Sequence, residues 1–171
     1  MRVESKMKRA LVVILFVAAA LSACKKTLVG EERYLEQAAK DDAILQQYII
    51  DNNLEDVAQK IDTSGVYVVI ENPGTGNAVF TNSTLVTVGF TAKVLTTGQL
   101  VYETGNFHPS YSLGSNIIKA WQLGLPQIQE GGTVRILTPS RYAYGPYEQP
   151  TLGIPADAIL DFTITLYDIQ N

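Results

Sequence analysis

Nucleophiles, metal ligands and positive charge are all scarce in this chain of 171 residues. It has one cysteine, Cys24. That excludes a disulfide within the chain and any cysteine-based metal site. It has one histidine, His108. No Ser-His-Asp set is therefore credible, and beside Pro109 this imidazole reads as a solvated loop side chain. Thirteen basic residues face seventeen acidic ones, a formal charge of −4, without the basic footprint of a nucleic-acid binder. The apolar run at 11–21 is too short to span a bilayer. Gly74 and Gly76 sit in Asn72-Pro73-Gly74-Thr75-Gly76 with no lysine following. That stretch is a turn, not a phosphate loop.

What is present begins with a targeting segment. Arg2, Lys6, Lys8 and Arg9 precede the apolar run, the order of a signal peptide over residues 1–23. The run closes in Leu21-Ser22-Ala23-Cys24, which resembles a bacterial lipobox. The resemblance implies cleavage before Cys24 and lipidation there, with several acyl chains giving a lasting membrane anchor. Such a protein belongs to the bacterial cell envelope, and Lys25 after the cysteine points to the outer membrane. Cleavage leaves nine basic and sixteen acidic residues, a formal −7. Residues 24–64 read as a lipidated tether and helical spacer. Leu35, Ala38, Ala39, Leu45, Tyr48 and Ile49 recur at helical spacing over 31–51, and Asn52-Asn53 ends the helix. A second helical turn is expected over 54–61. A docking role for the longer helix is the alternative, disfavoured because Asp41 and Asp42 interrupt its apolar stripe.

From Gly65 the texture becomes β-rich, and a hydrophobic fraction of 46% is enough to fill a core. Val66 to Ile70 is β-branched. Val86, Val88, Phe90, Ala92 and Val94 alternate with Thr87, Gly89, Thr91 and Lys93, the period of a half-buried strand. Thr96-Thr97-Gly98 turns the chain into an antiparallel partner at 99–103. A short helix is expected over 116–125, and a strand over 133–138. A closing strand alternates Leu160, Phe162, Ile164 and Leu166 with polar residues. Strands around one short helix argue for an antiparallel α+β domain over 65–171.

Seven short motifs follow in order: Phe90-Thr91-Ala92, Tyr102-Glu103-Thr104, Leu113-Gly114 and Ile117-Ile118-Lys119-Ala120-Trp121, then Pro139 leading to Tyr142-Ala143-Tyr144-Gly145, Ile154-Pro155, and Leu160-Asp161-Phe162. Together, at this spacing, they resemble the FKBP family of peptidyl-prolyl isomerases. The resemblance implies a twisted antiparallel half-barrel sheet wrapped on one short helix. Phe90 stands where the family has tyrosine, and Ala92 and Ala120 replace glycines. The hairpin is two residues longer than usual. Counting from Phe90 puts Tyr102 and Glu103 at the aromatic and acidic positions, and this placement keeps the register. Counting from Gly98 puts Val101 and Tyr102 there instead. The aromatic wall of the following loop is either Phe107 or Tyr111.

The chemistry implied needs no nucleophile, metal or cofactor. Amide resonance sets a barrier of roughly 18–20 kcal/mol to rotation about an X–Pro bond. Preferential binding of the twisted amide lowers it, and an apolar, water-poor slot favours that form. By resemblance, Trp121 is the pocket floor, and Phe90, Tyr102, Ile117, Ile154 and Phe162 are walls. The Ile118 N–H and the Tyr144 hydroxyl hold substrate carbonyls, and Glu103 sits near the rotating one. Tyr142 is structural. Proline-containing polypeptides are the expected substrates, exported proteins among them, and macrolides are possible ligands. The alternatives are the same fold as a binding module with little isomerase activity, or a structural envelope lipoprotein using the helix at 31–51.

Overall fold

The computed structural model describes residues 30–115 and 117–171. The signal segment, the lipobox and Cys24 lie outside the described residues. Tyr34–Asn171 form one compact unit.

The sheet is organised by its two longest strands, β3 (Leu85–Val94) and β7 (Leu160–Gln170), which pair antiparallel along their length. Both alternate apolar and polar residues, so each presents one buried face. Val86, Val88, Leu160, Ile164 and Leu166 are fully buried. The other strands are β1 (Ala58–Ile61), β2 (Val66–Asn72), β4 (Leu100–Glu103), β5 (Ser110–Ser112) and β6 (Thr133–Thr138). The order is β1-β2-β6-β7-β3-β4, with β5 also on β3, and every pair is antiparallel. β4 and β5 share the free edge of β3. Between them, Phe90 bonds to Thr104 and the Val88 N–H donates to the Pro109 carbonyl. At Thr87/Val88 and Ala92/Lys93 the register shifts, with the extra residue on the partner strand, Tyr167 on β7 and Val101 on β4, and an extra residue bends the strand that carries it.

The concave face wraps the short helix α2 (Lys119–Gly124), as the α+β reading expects. Its Ala120 and Trp121 enter the main core with Val68, Leu125, Ile136 and Phe162. The helix begins three residues later than expected because Ile118 is extended (φ −58°, ψ 128°). Gly124 is where helix and sheet approach most closely. A Cβ there would lie 2.4 Å from the Ile136 side chain.

Two expectations change in the N-terminal region. Residues 58–61 are strand β1, not a helical turn. They pair with Val66–Val69 across a turn in which Asp62 and Gly65 take φ 47° and 80°, so sheet pairing overrides a weak local preference. The helix expected at 31–51, α1 (Gly30–Asp51), is more than a spacer. Its Leu45 and Ile49 pack with Leu95, Leu137 and Ile159 in a second cluster. Burying a side chain the size of Leu45 stabilises by about 1.5–3 kcal/mol. Tyr48 of α1 also accepts a 2.6 Å bond from Arg135. The Arg135 guanidinium meets Asp161 through two bonds, at 2.9 and 2.7 Å. Those bonds to Asp161 raise the arginine's pKa, against the opposing effect of burial.

Candidate active site

A cavity of about 440 Å³ opens on the concave side of the sheet. Trp121 lies against its inner end, 4% exposed. Three rings stand edge-on to the indole: Phe90 at 4.7 Å and 80°, Phe162 at 5.6 Å and 89°, and Tyr111 at 5.7 Å and 86°. Such T-shaped contacts suit the ring quadrupoles. Among the described residues the buried indole N–H has no hydrogen-bond acceptor.

The register of the sheet decides which side chains reach the cavity. Ala92 pairs with both Tyr102 and Phe162, and all three line it. Cross-strand partners share a face. Tyr102 stacks on Phe90 at 5.1 Å. The bulge beside Ala92 brings Val101 into the lining as well. Ile117 and Ile118 line it at the start of α2, and Leu152, Ile154 and Tyr144 from the 139–155 connection. That connection is shaped by a bridge between Gln149 and Ile154. Of the two candidates for the loop's aromatic wall, Tyr111 lines the cavity, and Phe107 is 69% exposed.

Glu103 is the correction. It pairs with Thr91, which pairs with Thr163 on its other side. That row faces away from the cavity, so the carboxylate lies in a second, shallower cleft with Thr104, His108, Thr165 and Tyr167. Val101 and Tyr102 line the main cavity instead. His108 is also not a freely solvated side chain. It is half-buried and stacks on Tyr167 at 3.9 Å and 15°. Gly89 makes room for that stack, since a Cβ there would lie 3.0 Å from Tyr167 and 3.1 Å from His108.

Among the described residues, no charged side chain lines the cavity. Its polar character comes from Ser115 and three phenols. Burial pushes the Tyr144 phenol above the ordinary tyrosine range. Tyr111 is raised first by burial and then by the neighbouring phenols of Tyr102 and Tyr144. Tyr111 and Tyr144 therefore stay neutral donors at physiological pH. The three phenols come from three separate segments, and each was expected at the site: Tyr102 as a wall, Tyr144 as a donor and Tyr111 as one of two candidate aromatic walls. Leu160 was foreseeable, two residues from Phe162 on the same face of β7. Leu152 carries no sequence signal.

Fold and cavity together define a ring-lined, uncharged slot in an antiparallel half-barrel, the class to which prolyl-ring binders belong. The model of the FKBP-type peptidyl-prolyl cis-trans isomerase family matches residues 76–167. FK506-binding protein 1 of Candida glabrata is 33% identical over 110 residues, 62% of this chain and 94% of that protein. FkpA of Buchnera aphidicola (Baizongia pistaciae) is 29% identical over 86% of this chain and 57% of its own length. Among solved structures, FkpA of Escherichia coli superposes with a TM-score of 0.65 at 23% identity, covering 95% of this chain and 82% of that one. The chain belongs to the FKBP-type peptidyl-prolyl cis-trans isomerase family. It spans about half the length of the first Buchnera relatives, between 42% and 60%.

Proposed function

We propose that this protein is a peptidyl-prolyl cis-trans isomerase that assists the folding of exported proteins. The observation that carries the reading is the uncharged cavity closed below by Trp121 and walled by Phe90, Tyr102, Tyr111 and Phe162. A prolyl ring fits a slot of that lining. A planar amide is the more polar form, because resonance separates charge across it. A dry slot therefore binds the twisted amide in preference, which is what lowers the barrier. The Tyr144 phenol and the Ile118 N–H hold substrate carbonyls while the ring stays fixed. Glu103 contributes at most a distant field, because its row points to the other face.

The mature protein begins at a lipidated Cys24 in the bacterial envelope, with residues 24–64 as lipidated tether and helical spacer. Macrolides of the FK506 kind compete for the same slot, as the name of the Candida relative suggests. An isomerisation assay on a Leu-Pro peptide, with and without FK506, tests the activity. Catalysis suppressed by the macrolide is expected, and no rate above the uncatalysed one would refute the reading. Tyr144→Phe should lower kcat/KM about tenfold with the fold intact, near 1.4 kcal/mol for one lost bond in the transition state. The second reading, a binding module with little activity, is favoured by Phe90 and by the outward Glu103. It predicts FK506 binding without catalysis. Fatty-acid labelling abolished in Cys24→Ala tests the anchor.

A further inference from the structure

Asp41 is a fully buried carboxylate to which the cavity gives no task. It lies on α1 and reaches the first residue of the loop that carries Tyr144. Its Oδ2 accepts the Ser140 N–H at 2.8 Å and the Ser140 hydroxyl at 2.6 Å. Its Oδ1 accepts the side-chain amide of Gln37 at 2.8 Å. A buried charge is tolerated only when donors satisfy it in this way.

The next residue repeats the tie. The Arg141 guanidinium donates to Asp42 at 2.7 Å, to the Ser64 carbonyl at 2.7 Å and to the Ala38 carbonyl at 3.3 Å. From Ser140 the loop closes on itself. The Ser140 carbonyl accepts from Ala143 at 2.9 Å and from Gly145 at 2.8 Å, and the Gly145 carbonyl accepts from Asp157 at 2.8 Å. Tyr144 is thus held inside a small ring of bonds that hangs from α1 at one end. The apolar packing of the helix runs through Leu45 and Ile49, with Tyr48 beside them. It does not need a carboxylate aimed at the backbone of a distant loop.

We infer that α1 is part of the working site, with Asp41 a positioning residue that fixes residues 140–145 and so holds the Tyr144 phenol at the cavity. The inference rests on the isomerase reading for its effect on rate, but the coupling itself is measurable without it. Misplacing a binding group by about 1 Å costs up to roughly a hundredfold in rate.

The test compares Asp41→Ala and Ser140→Ala with Leu45→Ala in the full chain. The last loosens the same helix without touching the loop. Amide hydrogen exchange is read at Ser140, Ala143, Gly145 and Asp157. Binding of a Leu-Pro peptide is followed by the fluorescence of Trp121, the one tryptophan of the chain, and kcat/KM is measured where all variants are folded. Asp41→Ala is expected to speed exchange at those amides and to lower kcat/KM about tenfold. Ser140→Ala, which keeps the backbone bond to Asp41, should do the same more weakly. Leu45→Ala should leave both within about twofold of wild type, the scatter expected of an uncoupled site. Should Asp41→Ala fail to fold, Ser140→Ala against Leu45→Ala decides alone. Unchanged loop exchange in the Asp41 and Ser140 variants, or equal changes in Leu45→Ala, would overturn the inference. A wild-type chain without isomerase activity would instead sink the functional reading, while the exchange comparison still decided the clamp.

Discussion

The cavity and the seam between α1 and the sheet hold their side chains in opposite ways. In the cavity, rings pack edge-on around an indole, and among the described residues no charged side chain lines it and the indole N–H has no acceptor. In the seam, two carboxylates of α1 and one of β7 are met by a hydroxyl, a backbone N–H and two guanidiniums. Apolar contacts have no direction, so a ring-lined slot can take ligands that differ outside the proline. Charge-assisted bonds are directional and fix one geometry. The molecule places the permissive contacts where a substrate enters and the restrictive ones where a loop has to be held.

The most damaging change to the permissive side is Trp121→Ala. It removes the floor and leaves a void among Phe90, Tyr111 and Phe162. Truncating a buried tryptophan costs about 3–5 kcal/mol, and kcat/KM should fall by about a hundredfold or more as the ring loses its seat. Urea denaturation and the peptide assay, run together, measure both. Activity surviving in a folded Trp121→Ala protein would mean that the cavity is not where the amide rotates. The matching change on the other side is Leu45→Ala, fully buried on α1. It should cost about 2–5 kcal/mol of stability and leave the rate of folded protein nearly unchanged. If it cost rate in proportion to stability, the two regions would be one cooperative unit and the contrast would fail.

Much of the cavity was legible because its walls lie on strands with a clean period of two. Phe90, Ala92 and Phe162 fall on one face whatever the details of the turns. Trp121 was legible from the ordered motifs around it. Two kinds of fact were not. The face of Glu103 depends on a bulge beside Ala92, and a bulge leaves no mark in hydrophobic alternation. The role of α1 was missed because Asp41 and Asp42 read as breaks in an apolar stripe. In the fold they are its contacts, with partners 99 residues away. Sequence periodicity reports burial of apolar groups and is silent about buried polar groups that find distant donors.

The phenols give a smaller effect with a fixed sign. Tyr111 and Tyr144 have folded-state pKa values raised above the ordinary tyrosine value of about 10. The folded state therefore keeps its protons longer than the unfolded chain does, and stability is fully present below pH 10. It falls as pH rises through the folded values, when both phenols are forced to ionise beside one another. Denaturation midpoints should be flat from neutral pH to about 9 and drop above 10. Replacing both residues with phenylalanine should remove most of that drop. A drop of the same size in the double variant would place its origin outside the cavity.

The smallest expected effect is the most discriminating. Glu103→Gln changes charge without changing size, at a position whose row of partners, Thr91 and Thr163, faces the outer cleft. An exposed carboxylate acting through solvent and a sheet is strongly screened, so kcat/KM should stay within about twofold. A loss of about fivefold or more would mean that the hairpin at 96–103 turns over when substrate binds. Glu103 would then exchange places with Val101 at the cavity wall. That result would move the restrictive, charged chemistry into the slot and erase the separation between the two regions.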